Sequence, residues 1–179
     1  MPEREYFQVR LAGTGGQGLG LGGRFLADAL VADGMQVASS QTYEPTSRGG
    51  TSRTDLVVSG GSVDYPLVTG LDYLLILDQT AIEDSARLVR DDGLVLVDEV
   101  LVPDPPRGEF ATHVLPLTAS ARGLGNLRVA NVVSLGALAA MSGICSFANL
   151  EIVVERSAPA KFRDLNLSAL RAGQKLAMS

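Results

Sequence analysis

The chain has 179 residues, with 15 Lys and Arg against 20 Asp and Glu, one Cys, one His and no Trp, and 46% of it lies in the hydrophobic set. That length supports an ordinary apolar core, while one Cys and one His cannot build a zinc site, an iron–sulfur site or an internal disulfide. A net charge of −5 argues against a nucleic-acid binder that neutralises many phosphates.

The amino terminus is charged, and no run approaches about 18 apolar residues, so neither a signal peptide nor a membrane span is read and a cytoplasmic location is expected. Residues 7–12 form a short apolar run that stops at a glycine cluster, the pattern of a buried strand entering a tight turn. Leu21, Phe25, Leu26, Ala29 and Leu30 follow at helical spacing, which predicts a helix over about 20–32 that ends near Asp33 and Gly34. Residues 36–40 read as a second strand, 41–53 as a polar loop, and 54–59 as a strand turning at Gly60 and Gly61.

The run 71–77 is the most apolar of the first half and is expected to be a central strand. A helix is expected over about 80–90, with Ile82, Ala86 and Val89 on one face. Residues 94–97 read as a strand after a turn at Asp91-Asp92-Gly93. The segment 103–108 holds three prolines and reads as a rigid loop. Residues 112–117 follow as a strand whose Pro116 favours its end or an edge. Helices are then expected near 118–123, over about 129–141 ending at Gly143, over about 148–155, and over about 167–178.

Strands alternate with helices, and the strands are continuous apolar runs. That combination predicts a doubly wound α/β fold, with a mostly parallel sheet, helices on both faces and a helical C-terminal tail. Residues 1–179 are expected to form a single domain.

Gly13, Gly15 and Gly18 stand in G-x-G-x-x-G spacing between an expected strand and an expected helix, where glycines let backbone approach an anion at the helix N-terminus. A turn that serves only close packing has the same spacing. A nicotinamide cofactor would need an acid about 20 residues on, but the second strand ends in Ser39-Ser40-Gln41-Thr42 and the next acid is Glu44. No Lys-Ser/Thr pair completes a Walker pattern. The loop 43–53 gathers Arg48 and Arg53 with Gly49-Gly50 and four hydroxyl residues, a set suited to phosphate or carboxylate; a solvated surface turn is the alternative.

No catalytic set emerges. His113 reads as a structural or surface residue, Cys145 as packed and inert, and the pair Asp98-Glu99 as a capping or solvated pair at a strand end. No metal ligands are assigned.

Taken together, G-T-G-G-Q-G at 13–18, Y-E-P-T-S-R-G-G-T-S-R at 43–53, V-D-Y-P at 63–66, L-D-Y-L at 71–74, and Asn131 with S-L-G-A-L-A at 134–139 resemble the gamma subunit of 2-oxoacid:ferredoxin oxidoreductases. The resemblance implies a subunit of an enzyme that decarboxylates a 2-oxoacid, joins the acyl group to coenzyme A and passes two electrons to ferredoxin. Thiamine diphosphate, Mg2+ and iron–sulfur clusters are then held by other chains, so that none is bound by this chain alone. The implied partners are alpha and beta subunits, with a ferredoxin-like delta subunit as a further candidate.

By the same resemblance, Gly13, Gly15, Gly16, Gln17 and Gly18 with Arg48, Gly49 and Gly50 are the positions expected to meet coenzyme A or the active-site entrance. Glu44 and Thr46 depart from the family loop, which has glycine and an acid there. A free-standing nucleotide- or coenzyme A-binding module without turnover is the alternative, and an NAD-dependent dehydrogenase is disfavoured by the missing acid.

Overall fold

The computed structural model describes residues 5–44, 50–63 and 65–179. Six strands, β1 (Tyr6–Thr14), β2 (Gln36–Tyr43), β3 (Thr51–Ser59), β4 (Leu71–Ile76), β5 (Val89–Asp98) and β6 (Ala111–Leu115), form one sheet in the order β2-β3-β1-β4-β5-β6. β1, β4, β5 and β6 run parallel, and β3 runs antiparallel to both of its neighbours. The sheet is therefore mostly parallel, as the apolar runs predicted.

The helices are α1 (Leu19–Ala32), α2 (Ile82–Ala86), α3 (Leu117–Gly123), α4 (Ala130–Ser142), α5 (Phe147–Ser157) and α6 (Arg163–Ala177). Alternation along the strands sends Phe7, Val9 and Leu11 of β1 to one face, where they meet Phe25, Leu26 and Leu30 of α1, with Val132 and Val133 of α4 and Leu170 of α6 in the same core. The covering of the two faces is uneven. Among the described residues, the opposite face carries the short α2 and the connecting segments, which bring Val68, Ala81 and Val102 onto Val57, Leu74, Ile76 and Val95.

That second face also holds charge. Arg10 of β1 lies opposite Asp55 of β3 in the strand register and donates from Nε and Nη2 to its two carboxylate oxygens at 2.7 and 2.8 Å. Both side chains are buried, at 3% and 9% exposure, and Arg10 Nη1 donates to the Asp84 carbonyl in α2 at 3.2 Å. A two-pronged pair in which the third guanidinium nitrogen also finds an acceptor is a geometry suited to a buried charge.

α4 and α6 cross so closely that a Cβ at Gly173 would strike the Val133 carbonyl, and one at Gly136 the Leu170 carbonyl. Two backbones meet there with no side chain between them, which only glycine permits.

Two expectations are corrected. The polar loop 41–53 is in part the end of a hairpin, because Gln41, Thr42 and Tyr43 pair with Thr54, Arg53 and Ser52; residues 41–43 are exposed and Ser52 and Arg53 are polar and partly buried, so these ends lack the apolar signal of a core strand. The helix expected over 80–90 is a single 3-10 turn (Gln79–Ala81) followed by α2, and Val89 already belongs to β5. The Asp91-Asp92-Gly93 turn is an irregularity in that strand, since pairing jumps from Leu71–Val89 to Tyr73–Leu94. Among the described residues, no helix is long and apolar enough to cross a membrane.

Candidate functional site

β1 leads leftward through α1 to β2, while β4 lies on its other side, so the carboxyl ends of β1 and β4 flank the point where the winding reverses. Open α/β sheets bind ligands at such points. The glycine turn, residues 15–18, sits there.

Gly16 and Gly18 adopt φ of 88° and 74°, left-handed values that favour glycine. Gly18 caps α1 without a side-chain bond, and the first turn of α1 carries no acid, leaving the partial positive charge of the helix N-terminus uncompensated. Gly15 donates from its amide to the Gly50 carbonyl at 3.2 Å, and a Cβ at Gly15 would stand 2.7 Å from the Tyr43 ring. Tyr43 at the end of β2 and Gly50 before β3 thus both rest on the turn. Arg48, Gly49 and Thr46 lie outside the described residues. Glu44 folds into the hairpin end, accepting from Thr51 Oγ1 at 3.0 Å.

Gln17 turns inward. Its Oε1 accepts from the Thr14 amide at 2.8 Å and its Nε2 donates to the Leu77 carbonyl at 2.7 Å, so one side chain links the ends of β1 and β4. A Cβ at Gly13 would collide with that same Oε1; Gly13 makes room for Gln17. From α4, Asn131 Nδ2 donates to the Gly18 carbonyl at 2.8 Å.

Beside the turn opens a crevice of about 350 Å3, lined by Gly16, Gln17, Leu77, Leu101, Thr118, Arg122, Leu127, Arg128 and Ala130. Buried Asp98, at the end of β5, accepts from the amides of Val100 and Leu101 at 2.9 Å each and from the Thr118 amide at 2.5 Å. Its carboxylate fixes the far wall and is a structural cap. The Thr118 hydroxyl is buried and has no hydrogen-bond partner among the described residues. Arg122 and Arg128 are exposed at the rim.

The crevice therefore offers glycine backbone, a helix N-terminus and two guanidinium groups, which together suit a phosphate-bearing ligand with an apolar part. Among the described residues no group of three or more His, Cys, Asp or Glu is gathered to hold a metal. His113 is half-buried in β6. Cys145 is buried, and its thiol is pushed up to about 12 by desolvation and by the nearby Asp33 carboxylate. It remains protonated and unreactive at neutral pH.

Thr118, Arg122 and Arg128 were not singled out from the sequence. The only local signal was a basic, glycine-containing stretch, 122–128, between two expected helices.

Residues 8–176 match the protein family described as pyruvate ferredoxin/flavodoxin oxidoreductase. The chain is 34% identical to the 2-oxoglutarate synthase subunit KorC of Methanocaldococcus jannaschii, over 95% of this chain and 93% of that one. It is 36% identical to the crystal structure of the gamma subunit of a keto/oxoacid ferredoxin oxidoreductase from Geobacter sulfurreducens, with a TM-score of 0.88 and 98% of each chain covered. The 2-oxoglutarate:ferredoxin oxidoreductase of Magnetococcus marinus, solved with 2-oxoglutarate, coenzyme A and succinyl-CoA bound, shares the fold at 22% identity with a TM-score of 0.86. This chain spans 32% of it. The chain belongs to the pyruvate ferredoxin/flavodoxin oxidoreductase family, as a gamma-type subunit of a multi-subunit 2-oxoacid:ferredoxin oxidoreductase.

Proposed function

We propose that residues 1–179 act as one gamma-type unit of a cytoplasmic enzyme, and that the crevice at the glycine turn forms part of the entrance used by coenzyme A. The observation that carries this reading is the rim pair Arg122 and Arg128 beside Gly16 and Gln17, around about 350 Å3 of open volume. Coenzyme A is polyanionic at its nucleotide end and slender and partly apolar along its arm, which matches that lining.

In the assembled enzyme coenzyme A supplies the thiol that takes the acyl group of the decarboxylated 2-oxoacid. Gly16, Gly18 and the α1 N-terminus supply backbone polarity to its phosphates. Gly13 and Gly15 make space for Gln17 and Tyr43, Gly50 stands against Gly15 at the hairpin end, and the family resemblance assigns Arg48 and Gly49 to the same ligand. Arg122 and Arg128 add countercharge, and Gln17 sets the width between the β1 and β4 ends.

An iron–sulfur cluster takes four cysteine ligands and this chain has one Cys, so the clusters belong to alpha, beta or ferredoxin-like delta subunits. Thiamine diphosphate with Mg2+ is assigned to those partners as well, and ferredoxin receives the electrons.

The test is purification of the complex containing this chain and assay of coenzyme A-dependent ferredoxin reduction with a panel of 2-oxoacids. A raised KM for coenzyme A in the Arg122→Ala, Arg128→Ala double variant supports the entrance; an unchanged KM removes it. The second reading is a free-standing coenzyme A-binding module. Tight calorimetric binding of coenzyme A to the isolated chain, without partners or turnover, would favour it.

A further inference from the structure

β2 forms one edge of the sheet. It pairs with β3 without a break from Gln36 to Tyr43, and its eight residues, Q-V-A-S-S-Q-T-Y, include no charge, no proline and no glycine. Sheet edges are ordinarily blunted by charge, proline, a bulge or shortness. The opposite edge fits that rule, because β6 has five residues and Pro116 follows it. β2 carries none of these devices.

The ladder shows which backbone groups are open. The Glu44 amide donates to the Thr51 carbonyl at 2.9 Å, so by the alternation of an antiparallel pair Gln36, Ala38, Ser40 and Thr42 turn their N–H and C=O toward β3. Val37, Ser39, Gln41 and Tyr43 turn theirs outward, where no strand among the described residues meets them. Apolar surface flanks that row. Tyr43 is 55% exposed. On the other face Ser40 Oγ donates to the Pro66 carbonyl at 3.4 Å, which brings the neighbouring Tyr65 and Leu67, 65% and 60% exposed, to the same edge.

We propose that β2 is the seat of a second copy of this chain, whose own β2 pairs with it antiparallel about a dyad at Ser40, so that one sheet runs through both copies. A dyad normal to the sheet must set one residue opposite itself. With Ser40 on the axis the outward-facing residues meet one another: Val37 lies opposite Tyr43 and Ser39 opposite Gln41, each pair exchanging both backbone bonds. Val37 with Tyr43 is also a favourable cross-strand pair of β-branched and aromatic side chains. A dyad at Ser39 would instead set Tyr43 opposite Met35, beyond the end of the partner strand. No like charges oppose one another in the ladder. A dissimilar chain would have to supply this pattern, whereas a second copy already carries it. α1 packs over β3 and β2, so by ordinary strand spacing the two α1 helices stand roughly 10–14 Å apart across the dyad and do not collide.

Ser40→Cys tests the axis. Across it the two Cα atoms are expected about 4.5 Å apart, as in a non-hydrogen-bonded pair, within disulfide reach; the native Cys145 is buried and does not compete. Mild oxidation of the purified complex carrying Ser40→Cys is expected to give a reductant-sensitive dimer of this chain on denaturing gels. Ala38→Cys, on the same face but opposite Thr42, is expected to give none. Ser40→Lys and Ser40→Glu set like charges across the axis, so each full-length chain alone is expected to show a dimer dissociation constant raised about fivefold in sedimentation. An equal mixture of the two is expected to restore the dimer.

The absence of a Ser40→Cys dimer, or an equal yield from Ala38→Cys, overturns the proposal. A wild-type chain that sediments as a monomer, or a mixture no tighter than its parts, does the same. Charged variants that shed a different subunit from the complex would put a partner's strand on β2 and overturn it equally.

Discussion

Gln17 Nε2 donates to the Leu77 carbonyl at 2.7 Å while its Oε1 accepts from the Thr14 amide at 2.8 Å, so a single side chain closes the gap between β1 and β4 where the sheet's winding reverses. Gln17→Leu keeps the bulk and removes both bonds, leaving two partly buried backbone groups unpaired. A loss of about 1–3 kcal/mol is expected in urea denaturation. Gln17→Glu retains an acceptor and loses the donor, so a smaller loss from the Thr14 side and repulsion at Leu77 are expected. In the complex, both variants should change KM for coenzyme A more than kcat, because the change falls on the wall of the crevice.

The contact of α4 with α6 at Gly136 and Gly173 allows no such tolerance. A methyl group at Gly173 would meet the Val133 carbonyl and the Ala137 amide, both backbone atoms held in α4. Gly173→Ala is expected to cost about 3 kcal/mol or more, at the upper end of core overpacking. Gly123→Ala, which meets nothing within 4 Å, is the control expected to leave the denaturation midpoint close to wild type.

The Arg10–Asp55 pair poses a different balance. Removing one partner leaves the other charge buried, so Arg10→Met and Asp55→Leu are each expected to cost about 3–5 kcal/mol. The double variant should recover most of that, because two apolar side chains of similar volume no longer pay desolvation. A double-mutant cycle in guanidinium measures the coupling; additive losses would show that the two charges do not sense one another.

What the sequence revealed depended on how local each feature was. The stretches 74–77 and 94–97 are apolar on both strand faces, which marks a buried parallel strand without tertiary knowledge, whereas 7–12 is apolar on one face and carries Gln8 and Arg10, both buried, on the other. The strand ends at 41–43 and 51–53 escaped because Gln41, Thr42 and Tyr43 are exposed on the edge strand β2 and Ser52 and Arg53 are polar and only partly buried on β3, so neither end carries an apolar strand signal. The glycine turn was legible because its spacing and its flanking elements lie within one stretch of chain. The crevice was not. Its walls come from residues 16–17, 77, 101 and 118–130, brought together only by the sheet order. Arg122 and Arg128 look like surface charge until that order is known.

Cys145 supplies a pH dependence. Its thiol is raised from an ordinary 9.0 to about 12, chiefly by burial and then by Asp33, whose carboxylate is held by the Ser146 amide and Asn149 Nδ2 at 2.7 and 2.6 Å. The unfolded chain ionises near 9 and the folded one near 12, so the contribution is complete below pH 9 and is lost progressively as pH rises toward 12. On the order of 2 kcal/mol should be gone by about pH 10.5. Cys145→Ala flattens this part of the profile, and a disulfide reagent at pH 8 should label native Cys145 far more slowly than the urea-unfolded chain. Equal labelling rates would place the thiol at the surface.

Arg122 and Arg128 carry the functional reading most directly. Both are exposed, so replacing either with Ala should leave the denaturation midpoint within about 0.5 kcal/mol of wild type. If they offset phosphate charge, each single variant should raise KM for coenzyme A about three- to tenfold with kcat unchanged, and the double variant by roughly the product of the two. The effect should shrink as salt rises, because screening weakens exposed charge pairs beyond about 8 Å at physiological ionic strength. Lysine at both positions keeps the charge and loses the planar fork, so partial rescue is expected from Arg122→Lys and Arg128→Lys. A salt-independent KM, unchanged in all of these variants, would detach the crevice from coenzyme A and leave the chain's contribution to assembly alone.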